Sequence, residues 1–160
     1  AGDMFPPLIA AGAEAIVESP TGSRVVPVTE LATGPARTVL TADEWISTVR
    51  VPRAVGEEGF LKLGGRAAMA ISIVSLAWRW TRRLDGALVN VHLALGAVAP
   101  TAIRSPQAEA VLEGRRPTAE VVAEAAAAIR ASITPIDDLR ASAWYRRQVA
   151  GDLLSQALGA

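Results

Sequence analysis

Ile71-Ser72-Ile73-Val74-Ser75-Leu76-Ala77-Trp78-Arg79-Trp80-Thr81-Arg82 is followed by Arg83-Leu84-Asp85-Gly86 and then by Ala87-Leu88-Val89-Asn90-Val91-His92-Leu93-Ala94-Leu95-Gly96-Ala97-Val98. Both long runs read as strands, and the Asp-Gly pair between them is the cue for a tight antiparallel turn. The period of two divides the first run into faces. Ser72, Val74, Leu76, Trp78 and Trp80 share one side and carry the bulk, while Ile71, Ile73, Ser75, Ala77 and Arg79 share the other. Bulky aromatic side chains at strand spacing need cover, so the Trp side is expected to meet helices. The smaller face is left for another piece of the chain, a cofactor or a partner.

Working outward, residues 60–63 supply a third strand before this pair, and three helices follow it over 106–114, 117–133 and 139–158. Strands followed by helices on one face make an α+β layer, here a three-stranded antiparallel sheet covered by three helices. Upstream, residues 3–10 read as a short helix opened by Asp3, with Pro6 and Pro7 tolerated only in its first turn. Residues 13–18 and 24–28 form a hairpin around Ser19-Pro20-Thr21-Gly22-Ser23, and a strand in the latter half of 43–52 is stopped by Pro52. The polar, Gly-containing stretch 53–58 is the expected boundary, giving units of 1–55 and 56–160.

Of 160 residues 51% are hydrophobic, enough for a packed core. Sixteen basic and sixteen acidic side chains leave no net field for a polyanion, so nucleic-acid binding is not expected. There is no cysteine, which removes disulfides, thiolate metal sites and cluster ligation by this chain and is compatible with a cytoplasmic location. A single histidine, His92, argues against a histidine-built zinc site or a Ser-His-Asp triad, and its place in an alternating strand gives it a structural or solvent-facing role. The longest apolar stretch, 69–78, falls short of the ~20 residues of a membrane-crossing helix. No charged leader followed by an apolar segment opens the sequence, so export is not signalled.

Lys62 is the one lysine among fifteen arginines. A compact ammonium on a flexible stem directs a single charge at a small target, where a guanidinium suits paired oxygens.

Three segments carry a resemblance. They are Ala1-Gly2-Asp3-Met4-Phe5-Pro6-Pro7-Leu8, Phe60-Leu61-Lys62-Leu63-Gly64-Gly65-Arg66-Ala67-Ala68-Met69-Ala70-Ile71 and Asp137-Asp138-Leu139-Arg140-Ala141-Ser142-Ala143-Trp144-Tyr145-Arg146-Arg147. In this order, with Gly34-Pro35-Ala36-Arg37-Thr38-Val39-Leu40 and Ala99-Pro100-Thr101 between them, the chain resembles the FAD-binding medium subunit of molybdenum hydroxylases, the group of carbon monoxide dehydrogenase and xanthine dehydrogenase.

The resemblance implies the end of a flavin-binding α+β domain followed by a carbon monoxide dehydrogenase flavoprotein C-terminal domain. It implies FAD as cofactor, a molybdopterin-binding large subunit and a [2Fe-2S] small subunit as partners in a hetero-oligomer, and an oxidoreductase that passes electrons from the clusters through FAD to an acceptor. The family's glycine-rich pyrophosphate loops have no counterpart between residues 1 and 160. The implied cofactor contacts are Asp3, matching an acid after the second glycine-rich segment; Ile46, an apolar position that packs on the cofactor; Lys62, near the flavin pyrimidine edge; and Ile71, which approaches the ring. A cation at Lys62 would stabilise charge developing there on reduction. Ala70 departs from the pattern, since many relatives carry Asp. The alternative is a non-enzymatic interaction module that docks partner subunits without binding FAD on its own, with Arg140, Arg146 and Arg147 as candidate docking charges.

Overall fold

The computed structural model describes residues 2–53, 55–66 and 70–159. Ala1, Ala67, Ala68 and Met69 of the quoted segments, and Ala54 of the expected boundary, lie outside them.

The first half holds α1 (Phe5–Ala10), β1 (Glu14–Ser19), β2 (Gly22–Pro27), α2 (Val28–Leu31), β3 (Ala32–Gly34), β4 (Arg37–Thr38) and β5 (Trp45–Arg50). The second holds β6 (Glu57–Gly64), β7 (Ser72–Arg82), β8 (Leu88–Gly96), β9 (Ile103–Arg104), α3 (Pro106–Leu112), α4 (Ala119–Ser132) and α5 (Ala143–Leu158). β1 is the centre of a small antiparallel sheet in the order β2-β1-β5, and β3 pairs with β4. The larger sheet is the expected meander β6-β7-β8, extended by the two-residue β9.

The side assignment of β7 decides the packing. Val74, Leu76 and Trp80 are buried in one cluster with Leu112 of α3, Val121, Ala125 and Ile129 of α4, and Val149, Leu153 and Leu154 of α5. Trp78 packs at its margin and stacks on Trp80 with ring centroids 5.7 Å apart. On the opposite face, Ala77 and Ala94 meet Ile9 and Ala10 of α1. The small-residue face is therefore occupied, over its middle, by the first half of the chain. α1 can come this close because β8 ends in Gly96: a Cβ there would lie 2.5 Å from Ser75 Oγ and 2.9 Å from Pro6 Cγ. Polar ties fix the same contact, as Arg79 Nη1 donates to Ala11 O (3.0 Å) and His92 Nδ1 lies 2.9 Å from Ala10 O. Of the structural or solvent-facing roles its strand pattern allows, His92 thus takes the structural one.

β7 outruns its neighbour. Pairing with β8 begins at Ser75, whereas pairing with β6 continues to Ser72 across an irregularity between Leu63 and Gly64. The irregularity inserts one extra residue into β7 and flips the alternation, so Ile73 reaches the helix-side cluster and Ser72 turns to the Lys62 side, the reverse of the faces expected for them, and the Ile73 carbonyl accepts from Arg146 Nη1 (2.5 Å).

α5 starts at Ala143, four residues after the expected 139, because the preceding acids cap the loop. Asp138 Oδ1 accepts from the backbone N–H of Arg140 (2.8 Å) and Ala141 (3.2 Å), Asp137 Oδ1 from that of Ala143 (2.6 Å), and Ser142 Oγ from that of Tyr145 (3.2 Å). The backbone N–H groups that would continue the helix backward are already taken.

Candidate functional site

The protruding start of β7, the bulged end of β6 and the residues before α1 converge on one polar cluster. Lys62 Nζ donates to Asp3 Oδ2 at 2.6 Å and to the Ala70 carbonyl at 3.1 Å. Ser72 Oγ donates to the other carboxylate oxygen, Asp3 Oδ1, at 2.5 Å. Asp3 is therefore not the cap of α1; Met4 takes that position and makes no side-chain bond there. The bond to Lys62 first, then that to Ser72, hold the Asp3 carboxyl below its ordinary 3.8, against the opposing effect of burial.

The Lys62 and Asp3 side chains are 35% and 40% exposed, so the ion pair faces solvent, while Ser72 beneath it is only 7% exposed. Ile71, next to Ser72 in sequence, is 68% exposed. An ammonium has three donors, and two of them have acceptors among the described residues. An exposed apolar side chain beside a fixed cation, with a carboxylate to take hydroxyl donors, suits a ligand that joins an apolar ring to polar groups. That donor set fits a flavin.

The backbone at the site is tight. A Cβ on Gly64 would lie 2.5 Å from the Ala70 Cβ, so the chain segments entering and leaving the β6–β7 connection nearly touch. Beyond Ser72 a cleft of about 340 Å³ opens, walled by Pro35 and Ala36 on one side and by Ala97, Pro100, Asp138 and Arg146 on others.

Asp3, Lys62 and Ile71 thus gather at one end of the larger sheet. Ile46 does not join them: it lies on β5, paired with Val17, is 38% exposed, and belongs to no buried cluster. With Trp45 and Val49 it belongs to an exposed strand.

Ser72 was not singled out from sequence. The plain alternation assigns it to the bulky, helix-covered face, and the irregularity beside Gly64 turns it to the Lys62 side instead. Arg146 changes meaning too. A docking charge should be exposed, yet Arg146 is 2% exposed, donating to Ile73 O, to Ala97 O (3.2 Å) and from Nη2 to Asp138 Oδ1 (2.7 Å). Arg140 is held by the same carboxylate, at 2.7 Å. The backbone N–H of Arg140, followed by these guanidinium bonds and that of Ala141, keeps the Asp138 carboxyl far below the usual range. Among the described residues no group of acids and His92 is placed to hold a metal, and no helix is long and apolar enough to cross a membrane.

Comparison with known proteins agrees with this layout. The family described as CO dehydrogenase flavoprotein C-terminal domain matches residues 60–160, and that described as FAD binding domain in molybdopterin dehydrogenase matches residues 1–54. The chain belongs to the CO dehydrogenase flavoprotein family.

Among individual relatives, it is 32% identical to the carbon monoxide dehydrogenase medium chain of Hydrogenophaga pseudoflava, over 99% of this chain and 56% of that protein. It is 30% identical to the glyceraldehyde dehydrogenase medium chain of Sulfolobus acidocaldarius, over 98% of this chain and 56% of that one. Its fold superposes on carbon monoxide dehydrogenase from H. pseudoflava lacking the Mo-pyranopterin moiety of its cofactor, with a TM-score of 0.92 and 35% identity, covering 99% of this chain and 55% of that one. The chain spans a little over half the length of these relatives.

Proposed function

We propose that this chain forms part of the FAD-binding, electron-transferring medium subunit of a molybdenum hydroxylase. Residues 1–55 would contribute to the FAD domain and 56–160 would form the flavoprotein C-terminal domain. The observation that carries the reading is the Asp3–Lys62–Ser72 cluster beside exposed Ile71, in a chain whose first 54 residues match a FAD-binding family.

FAD, when bound, supplies the redox chemistry; the chain supplies position and electrostatics. Lys62 would face the flavin's polar edge, and its fixed charge would favour negative charge developing nearby. Asp3 would accept from cofactor hydroxyls while keeping Lys62 in place. Ile71 would lie against the ring and limit how an electron acceptor approaches. Ile46 would pack on the cofactor from the first sheet. The partners in this reading are a molybdopterin-binding large subunit and a [2Fe-2S] small subunit, in a cytoplasmic hetero-oligomer that delivers electrons through FAD to an acceptor.

The test is Lys62→Met in the full-length protein. A flavin that becomes harder to reduce is the expected result. One unit charge at hydrogen-bond range, partly neutralised by Asp3, is worth about 1–2 kcal/mol, or about 20–45 mV for a two-electron couple. An unchanged potential refutes the role of Lys62. A folded full-length protein that purifies without FAD and binds none refutes the whole reading and leaves the chain as a docking module.

A further inference from the structure

Lys62 is held by a carboxylate that is itself held. Asp3 precedes α1, is two-fifths exposed, and has two equivalent oxygens. An ammonium facing a lone carboxylate can bridge both oxygens or slide between them. Here the Ser72 hydroxyl pins Oδ1, which fixes the rotation of the carboxylate and presents Oδ2 to Lys62.

Ser72 is well placed to make this choice. Its position is set by pairing with Gly64 across the β6–β7 irregularity, and it is 7% exposed, at the inner edge of the cleft. Its hydroxyl has one proton to give, and the structure directs it at Asp3.

We propose that Ser72 is a positioning residue: by occupying Asp3 Oδ1 it confines the Lys62 ammonium to the point between Asp3 Oδ2 and the Ala70 carbonyl, and so sets the charge that Lys62 offers to the flavin. The proposal rests on the functional reading above. Without Ser72 the carboxylate is free to turn, its contact with Lys62 is no longer confined to Oδ2, and the ammonium is held less firmly where the flavin would meet it.

Two readouts on the full-length, FAD-containing protein decide it. The first is the titration of the Asp3 carboxyl carbon by ¹³C NMR between about pH 3 and 6. In Ser72→Ala the carboxyl should titrate nearer its ordinary value, whereas Ser72→Thr, which keeps the hydroxyl, should match the parent protein. The second is the flavin midpoint potential. Ser72→Ala should move it in the same direction as Lys62→Met but less far, and should add nothing when both substitutions are combined. Ser72→Cys keeps the volume with a weak donor and should follow the Ala variant if that one folds poorly.

An unchanged Asp3 titration in the Ala and Cys variants overturns the proposal. So does a potential shift that persists in full on the Lys62→Met background, since that marks a packing effect. A silent Lys62→Met overturns the flavin end of the proposal together with the role of Lys62. The Asp3 titration, which requires no role for Lys62, separates that failure from a failure of the Ser72–Asp3 link.

Discussion

Arg146→Met removes the guanidinium that holds the start of β7 to α5 while keeping most of the apolar stem. The parent side chain is buried and serves three acceptors: the carbonyls of Ile73 and Ala97 and the Asp138 carboxylate. Met makes none of these bonds, so the two carbonyls lose a charged donor. A stranded buried acceptor costs about 1–3 kcal/mol. Both carbonyls belong to half-buried residues, within partial reach of water, so the lower part of the range applies and the sum is about 2–3 kcal/mol. With a urea slope of about 2 kcal/mol/M the unfolding midpoint should fall by about 1–1.5 M. Arg146→Lys should lose nearly as much, because one nitrogen cannot reach acceptors spread over β7, the residue after β8 and the loop before α5. Urea unfolding followed by Trp fluorescence reads the effect, since Trp78 and Trp80 sit on the strand that Arg146 anchors. A midpoint shift below about 0.3 M for Arg146→Met would refute the argument, as it would mean that water replaces the guanidinium at no cost.

Gly64→Ala forces a Cβ to 2.5 Å from the Ala70 Cβ and should cost about 1–3 kcal/mol, measured in the same way. Combining it with Ala70→Gly should recover part of the loss, and no recovery would locate the clash elsewhere. Acid should unfold the protein within a defined window. Asp3 and Asp138 are held below 3.8, and Arg24, followed by the Thr41 backbone N–H, lowers Glu44 from 4.5 to about 2. A depressed carboxyl contributes stability that is fully present above its unfolded value and is lost as pH falls through its folded value. The melting temperature should therefore be level above about pH 5 and fall steadily from there toward about pH 2. A flat melting temperature down to pH 3 would contradict these pairings.

The meander and its helical cover were legible because Asp85-Gly86 marks the turn and the period of two sorts Trp80, Leu76 and Val74 from Ala77. Hydropathy does not record polar strand ends. β6 begins at Glu57 and not at Phe60 because the Glu57 carboxylate accepts from Trp80 Nε1 (2.9 Å) and pairs with Arg82 (2.9 Å). α2, β3, β4 and β9 went unread for a related reason: none exceeds four residues, too short for any period to appear. At the site, resemblance pointed to Asp3, Lys62 and Ile71, but the bonds that join Asp3, Lys62 and Ser72 depend on β7 running past the end of β8 and on its irregular pairing with β6, register effects that no single stretch of sequence contains. Arg146 was read as a surface charge for the same reason, since two of its three acceptors are 49 and 73 residues away.

The seat of α1 bears on how such proteins can be recombined. The helix comes from the opposite end of the chain from the three that cover the larger sheet, yet it fills the second face of that sheet through Ile9 and Ala10 against Ala77 and Ala94. A chimera spliced between residues 55 and 56 would therefore divide one hydrophobic interior between two parents. For a grafted C-terminal half to keep its fold, the donor must bring its own residues 5–11, or the host helix must match Gly96, Arg79 and His92 in shape and hydrogen bonding. The point where the sequence divides most cleanly is not a seam in three dimensions, and exchange between relatives should succeed only when both sides of that sandwich travel together.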